Sequence, residues 1–304
     1  MSARHFLTLM DFSAAELRTV ISRAMELKRG HRKDSDYMPM RNRTLALIFD
    51  KSSTRTRVSF EAAMTQFGGN SVFLTSGDTQ LGRGEPVEDT ARVMSRMVDA
   101  VVIRTSSHDM VQTFAAHADV PVINGLTDRY HPCQLLADVQ TFTELRGDIA
   151  GSVAAWVGDG NNVCHSWMNA ARRFDFTLRI STPRGYEPDA ELLRVCGERA
   201  VLVDTPQEAA EGAHIVVTDT WASMGQELQM AERRERFVSH TVTPAIMKLA
   251  DPQALFMHCL PVYRGFEAAA EVVDGPQSVI WEEAENRLHS HKALLEFLVA
   301  PHEA

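Results

Sequence analysis

Short apolar runs, each the length of a buried strand, alternate with helical stretches along most of this chain of 304 residues. No other feature constrains the fold as strongly. The runs lie at 45–49, 71–74, 99–103, 120–123, 152–157, 178–180, 201–203, 214–217 and 254–257. Helical periodicity fills the gaps at 13–30, 58–67, 87–97, 110–118, 162–174, 190–197 and 206–211. Apolar strands separated by helices predict a parallel sheet covered on both faces. The alternation pauses at 131–146, which reads as one long helix ending at Gly147, and then restarts. The fold class expected is therefore α/β, with two doubly wound parallel-sheet domains: residues 1–135 in the first, about 147–285 in the second, and helix 132–146 linking them. In open parallel sheets, ligands bind beyond the carboxyl ends of the strands. The 53–57 segment, Arg104, residues 158–162, Asp219 and His258-Cys259 all fall at such ends. Their clustering predicts an active-site cleft between the two domains.

Ser53-Thr54-Arg55-Thr56-Arg57 carries the most specific chemistry of these groups. Hydroxyls and two guanidiniums crowd the start of a helix, where free backbone N–H groups and the positive dipole end already point. Two arginines there repel that field and each other unless an anion lies between them. A phosphate site is expected, with arginine supplying forked donors. The simpler alternative is an ordinary N-cap followed by solvated arginines. Net charge is −9, which argues against a nucleic-acid or anionic-membrane partner, so an anion site has to be built locally. With 44% apolar and 23% charged residues the chain reads as a soluble globular protein. Its first residues lack an apolar signal core, and no apolar run approaches membrane-spanning length. Cys133, Cys164, Cys196 and Cys259 form no C-x-x-C pair, so neither a disulfide framework nor a zinc site is indicated and a cytoplasmic location is expected.

Three further positions have a chemical and a plain reading. Gly158-Asp159-Gly160-Asn161-Asn162-Val163 follows a strand and opens a helix, as a dinucleotide fingerprint does. Its third glycine is replaced by Val163, and the next strand leads to Ser181 rather than an acidic residue. A tight packing turn is favoured over a nicotinamide-dependent oxidoreductase. His131, before Pro132, stands at a helix start, where the dipole disfavours an imidazolium. A neutral ring there can donate one hydrogen bond to a substrate carbonyl. Zinc ligation is disfavoured because no second ligand sits at helical spacing. Asp219 is either a turn carboxylate or the partner of a substrate ammonium.

His131-Pro132-Cys133-Gln134-Leu135-Leu136-Ala137-Asp138 and His258-Cys259-Leu260-Pro261, together with the 53–57 segment, resemble the aspartate/ornithine carbamoyltransferase family. Asp219-Thr220-Trp221-Ala222-Ser223-Met224-Gly225 is similar to the ornithine branch of that family, and the motifs follow the family's order over nearly the whole chain. The resemblance implies carbamoyl transfer from carbamoyl phosphate to the δ-amine of L-ornithine, giving citrulline for arginine biosynthesis. It implies no metal, no organic cofactor, small-molecule partners, and a homotrimer or multiple of trimers. It places Ser53, Thr54, Arg55, Thr56 and Arg104 on the phosphate, with Arg57 bordering the pocket. Thr56, Arg104 and His131 would polarise the carbonyl oxygen. Gln134 and the backbone carbonyl of Leu260 would hold the carbamoyl NH2, with Arg287 near the carbonyl. Gln80, on a polar 75–86 loop, would reach a neighbouring subunit's carbamoyl phosphate. Asn162, Asp219, Ser223 and Met224 would hold ornithine, Asp219 and Cys259 orienting its attacking side. Residues 221–236 would form a lid hinged at Gly225, closing over ornithine after carbamoyl phosphate binds. The C-terminal helix, about 286–304, would return to the first domain. An aspartate or acylated-ornithine carbamoyltransferase remains an alternative, against which Asp219 and Ser223-Met224-Gly225 argue.

Overall fold

The computed structural model describes residues 3–30, 36–75, 77, 79, 84–221 and 230–300. The chain divides into two compact units: Met1–Gln140 with Glu285–Ala304, and Thr141–Ala284. The first division falls inside the long helix rather than at either end of it.

The first unit begins with α1 (Ala14–Arg29), whose capping box pairs Ser13 with Glu16 and whose buried stripe is Leu17, Val20, Ile21 and Ala24. There follow β1 (Thr44–Phe49), α2 (Thr54–Gln66), β2 (Asn70–Thr75), α3 (Val87–Met94), β3 (Ala100–Arg104), α4 (His108–His117), β4 (Val122–Leu126) and α5 (Pro132–Arg146). The strands pair in the order β2-β1-β3-β4, all parallel. Chain order thus reverses direction between β1 and β3, where the sheet opens a crevice at its carboxyl end. Phe49 is in register with Arg104 across that point, so the loop leaving β1 and the Arg104 side chain emerge side by side. Ala46, Ile48, Val101, Ile103, Phe114 and Val122 build the core beneath.

The second unit contains β5 (Val153–Val157), α6 (Asn162–Phe174), β6 (Thr177–Ser181), α7 (Ala190–Cys196), β7 (Ala200–Leu202), α8 (Pro206–Ala210), β8 (Ile215–Val217), α9 (Met230–Phe237), α10 (Pro244–Met247), β9 (Leu255–Met257) and α11 (Ala270–Val273). Its parallel order is β7-β6-β5-β8-β9, so the reversal lies between β5 and β8. Residues 158–162 leave β5 there, Asp219 lies two residues past β8, and His258 directly follows β9. The last helix, α12 (Ile280–Val299), supplies Glu285 onward to the first unit.

Each expected strand is present. One helix start differs: α2 begins at Thr54, a turn earlier than the apolar period at 58 suggests. Ser53 is its N-cap, accepting the Thr56 N–H at 3.3 Å, so both arginines sit inside the first turn of the helix. Two short helices, α10 and α11, and the charge-rich α9 had no apolar period to reveal them.

Candidate active site

In the first unit, the groups at the β1/β3 crevice converge on Arg287 of α12. This guanidinium is buried, as are Thr56, Gln134, His131 and Arg104. Nη1 of Arg287 donates to Gln134 Oε1 at 2.5 Å and Nη2 to Thr56 Oγ1 at 3.1 Å. Gln134 Nε2 in turn donates to Asp138 Oδ1 at 2.8 Å, which fixes the orientation of the amide. Three segments far apart in sequence are therefore joined by charge-assisted hydrogen bonds. His131 immediately precedes α5 and is held well below the ordinary histidine range. Burial is the largest cause, followed by the positive charges of Arg287 and Arg104, then His291 and Arg55. Three guanidiniums within electrostatic reach of one neutral imidazole form a local concentration of positive charge in a protein that is negative overall. Such a site suits a dianion with a polarisable carbonyl attached.

Arg57 turns elsewhere. It ion-pairs with Glu61 at 3.0 Å and lies over the Phe73 ring at 3.7 Å. Lys51 pairs with Asp128 at 2.8 Å. Cys133 is fully buried and donates to the Asn124 carbonyl at 3.4 Å; burial pushes its pKa up to about 12.

In the second unit, Asp219 is the hub. Its Oδ2 accepts from Asn161 Nδ2 at 2.8 Å, and its Oδ1 accepts from its neighbour's Thr220 N–H at 2.7 Å and from the Cys259 thiol at 3.2 Å. Asn161 also N-caps α6, accepting from the Val163 and Cys164 N–H groups at 2.9 and 3.2 Å. Its two ends thereby tie the helix start to the carboxylate. The His258-Cys259-Leu260-Pro261 loop is held from within. His258 N–H donates to the buried Glu283 carboxylate at 2.9 Å, and His258 Nδ1 accepts the Leu260 N–H at 2.9 Å. Leu260 sits at φ +61°, a left-handed conformation that leucine seldom adopts, and a cis peptide follows it. A left-handed φ at a residue such as leucine persists where surrounding contacts over-determine it, and such conformations concentrate at functional loops.

Asp219, His258 and Cys259 offer three ligand atoms within 4.8 Å of one another. Nδ1 of His258 accepts the Leu260 N–H, and Nε2 lies 3.2 Å from Glu267 Oε1 without hydrogen-bond geometry. Metal ligation through Nδ1 would sacrifice the Leu260 contact. The glycines after β5 pack rather than cradle: a Cβ on Gly160 would come within 2.3 Å of the Pro188 nitrogen and 2.6 Å of the Glu187 carbonyl carbon. The chain's own backbone fills the space a dinucleotide phosphate would need.

The two halves of this geometry match two family models. The carbamoyl-phosphate-binding domain of the aspartate/ornithine carbamoyltransferases matches residues 4–144, and their aspartate/ornithine-binding domain matches residues 150–298. The chain belongs to the aspartate/ornithine carbamoyltransferase family. Relatives of this family include the ornithine carbamoyltransferase of Halorhodospira halophila, 59% identical over 296 residues, which cover 97% of this chain and 99% of the relative. That of Nitrosococcus oceani is 57% identical over 299 residues, 98% of each chain. Among solved structures, ornithine carbamoyltransferase from Burkholderia thailandensis is 51% identical with a TM-score of 0.91, covering 98% of this chain and 99% of its own. The Pyrococcus furiosus enzyme is 43% identical with a TM-score of 0.94, covering 99% of each.

Of the family's motif residues, the structure brings Thr56, Arg104, His131, Gln134 and Arg287 together in the first unit, with Ser53, Thr54 and Arg55 at the start of α2. It brings Asp219 and Cys259 together in the second, with Asn162 the first residue of α6 and Leu260 beside Cys259. Gln80, Ser223, Met224 and Gly225 lie outside the described residues, as do all of residues 222–229 in the 221–236 segment. Of that segment, Arg233 is anchored by Asp159 at 2.6 Å. Three contributors were not singled out from the sequence. Asn161 was overlooked beside Asn162, although an asparagine just before a helix is a standard N-cap signal. Glu283 and Glu267 carried no local signal, because their partners lie elsewhere in the chain.

Proposed function

We propose that this chain transfers the carbamoyl group of carbamoyl phosphate to the δ-amine of L-ornithine, releasing L-citrulline and phosphate. The observation that carries the reading is the Arg287–Thr56–Gln134 cluster beside a neutral His131 ringed by arginines. It combines an anion site with hydrogen-bond donors for a carbonyl oxygen, and it lies in a chain whose relatives at 57–59% identity are named ornithine carbamoyltransferase.

Ser53, Thr54, Arg55, Thr56 and Arg104 bind the phosphate, at a helix N-terminus already polarised for an anion. The carbonyl oxygen meets Thr56, Arg104 and His131. A neutral His131 can donate one hydrogen bond there without adding a charge, and the oxygen's growing negative charge is stabilised by donors already in place. Gln134 Oε1 accepts from the carbamoyl NH2, as does the Leu260 carbonyl. Asn162, Asp219, Ser223 and Met224 hold the amino-acid end of ornithine, and Asp219 with Cys259 orients the δ-amine. The neutral amine attacks the carbonyl carbon, a C–N bond forms, and the C–O bond to phosphate breaks. The departing phosphate takes up the amine proton. The protein acts in the cytoplasm in arginine biosynthesis, as a homotrimer in which Gln80 of one subunit completes a neighbour's carbamoyl phosphate site.

The test is carbamoyl transfer by purified protein from carbamoyl phosphate to ornithine, aspartate, N-acetylornithine or N-succinylornithine, read as phosphate release and as the ureido product of each acceptor, without added metal or nucleotide. Ornithine should be the preferred acceptor by orders of magnitude in kcat/KM. Preference for an acylated ornithine or aspartate would overturn the acceptor assignment.

A further inference from the structure

His291 lies one turn after Arg287 on α12, and no step of carbamoyl transfer above uses it. Its ring is fully buried and stacked on Phe60, with centroids 3.9 Å apart and planes 12° apart. Nε2 accepts the Arg287 Nε–H at 3.3 Å, and Nδ1 lies 2.9 Å from Ser59 Oγ. These contacts decide the tautomer. A guanidinium nitrogen can only donate, so Nε2 must be bare and the ring proton must sit on Nδ1. Ser59 completes the pattern. Its hydroxyl hydrogen donates to the Arg55 carbonyl at 2.7 Å, leaving a lone pair on Oγ for the Nδ1–H. A hydrogen-bonded chain therefore runs from Arg287 through His291 and Ser59 to the first turn of α2, with every donor facing an acceptor. Protonating the ring would place two donors and two positive charges face to face. Burial first, and Arg287 second, hold His291 well below the ordinary histidine range.

The same guanidinium uses its other edges on Gln134 and Thr56. The contact at Nε adds a third point to those two, and three points fix the plane of the guanidinium. We propose that His291 is a positioning residue that sets the plane of the Arg287 guanidinium through its bare Nε2. The proposal rests on Arg287 serving the carbamoyl phosphate side of the reaction above.

Two variants and one spectrum test it. His291→Leu keeps an apolar side chain against Phe60 and removes the acceptor. His291→Gln restores an acceptor oxygen for Arg287 and a donor for Ser59. His291→Leu should lower kcat/KM for carbamoyl phosphate about tenfold, and His291→Gln should recover most of it. In an Arg287→Ala background His291→Leu should have no further effect, because the residue acts through the arginine. Equal losses in both backgrounds, or Leu and Gln variants that behave alike, would overturn the proposal. Imidazole ¹⁵N spectra of the wild-type protein at pH 7, with the His291 signals assigned by loss in His291→Gln, should show a protonated Nδ1 and a bare Nε2. A protonated Nε2 overturns the proposal without reference to activity. A wild-type protein that forms no citrulline would instead sink the carbamoyl-transfer reading, and the tautomer would still decide the hydrogen-bonded chain.

Discussion

Arg55 enters α2 in its first turn, and its charge is one of those holding His131 neutral. Arg55→Ala should remove charge-assisted bonds to the phosphate and reduce kcat/KM roughly 10²–10³-fold, on the scale of losing one preorganised donor. The circular dichroism spectrum should not change, since the Ser53 cap of α2 survives. Near-normal activity would overturn the phosphate assignment. Cysteine chemistry gives a second prediction at this scale. Burial pushes Cys133 up to about 12 and Cys196 to about 11, and it holds Cys164 well above the ordinary thiol range. Cys259 is only half-buried and faces Asp219. Alkylation followed by peptide mapping should mark Cys259 alone, and bound carbamoyl phosphate with norvaline, an unreactive ornithine analogue, should protect it. Labelling unaffected by ligands would remove Cys259 from the ornithine site. The neutral state of His131 was legible from its place before Pro132, but the reason was incomplete. The helix dipole was the argument from sequence, whereas burial and the charges of Arg287 and Arg104 are what the folded chain adds. Arg287 itself was legible only through family resemblance, because Gln134 and Thr56, which it joins, lie 153 and 231 residues away in the chain.

Among the elements, α1 shows how local chemistry becomes readable. Ser13 and Glu16 cap each other, and Arg4 adds an ion pair to Glu16 at 2.7 Å. The Arg4 hydrogen bond, then those from Ser13, lower the Glu16 carboxyl from 4.5 to about 2. A carboxylate depressed in the folded state stabilises it fully above its unfolded pKa and loses that contribution as pH falls through the folded pKa. The contribution should therefore be intact at pH 7 and fade between about pH 4.5 and 2. The Glu16 side chain is 34% exposed and screened by water, so a capping magnitude of about 1 kcal/mol is appropriate rather than the full shift. Urea unfolding of wild type and Glu16→Gln should differ by about that amount at pH 7, and the difference should shrink towards pH 3. A difference that does not change with pH would assign the effect to helix propensity. The strands were equally readable, since runs such as 45–49 and 100–103 are buried on both faces and leave no polar interruption. The start of α2 was not, because its first turn is Thr54-Arg55-Thr56-Arg57 and its apolar stripe begins only afterwards. The four-residue helices α10 and α11 are too short to display any period.

At the scale of the whole molecule, the alternation of strand and helix foretold two parallel sheets, and the reversals of strand order explain why Arg104 and the start of α2 gather at β1/β3 and Asp219 at β5/β8. What a single chain's periodicity could not supply is assembly, because contacts between copies leave no repeat in the sequence. The proposed trimer, with Gln80 serving a neighbour, makes a prediction that no single-subunit site can meet. Arg55→Ala damages the phosphate site of its own subunit, and the double variant Gln80→Ala, Arg83→Ala damages the loop offered to the next. Each protein alone should be severely impaired. Unfolded together in equal amounts and refolded, they should regain activity, because a site is intact whenever a subunit with Arg55 receives its loop from a neighbour with Gln80. Random mixing gives each of those conditions one chance in two, so about a quarter of sites should be restored. A double variant with near-normal activity would mean that the loop takes no part in catalysis. An impaired double variant with no recovery on mixing would place the loop in its own subunit's site, and the shared-site proposal would be abandoned.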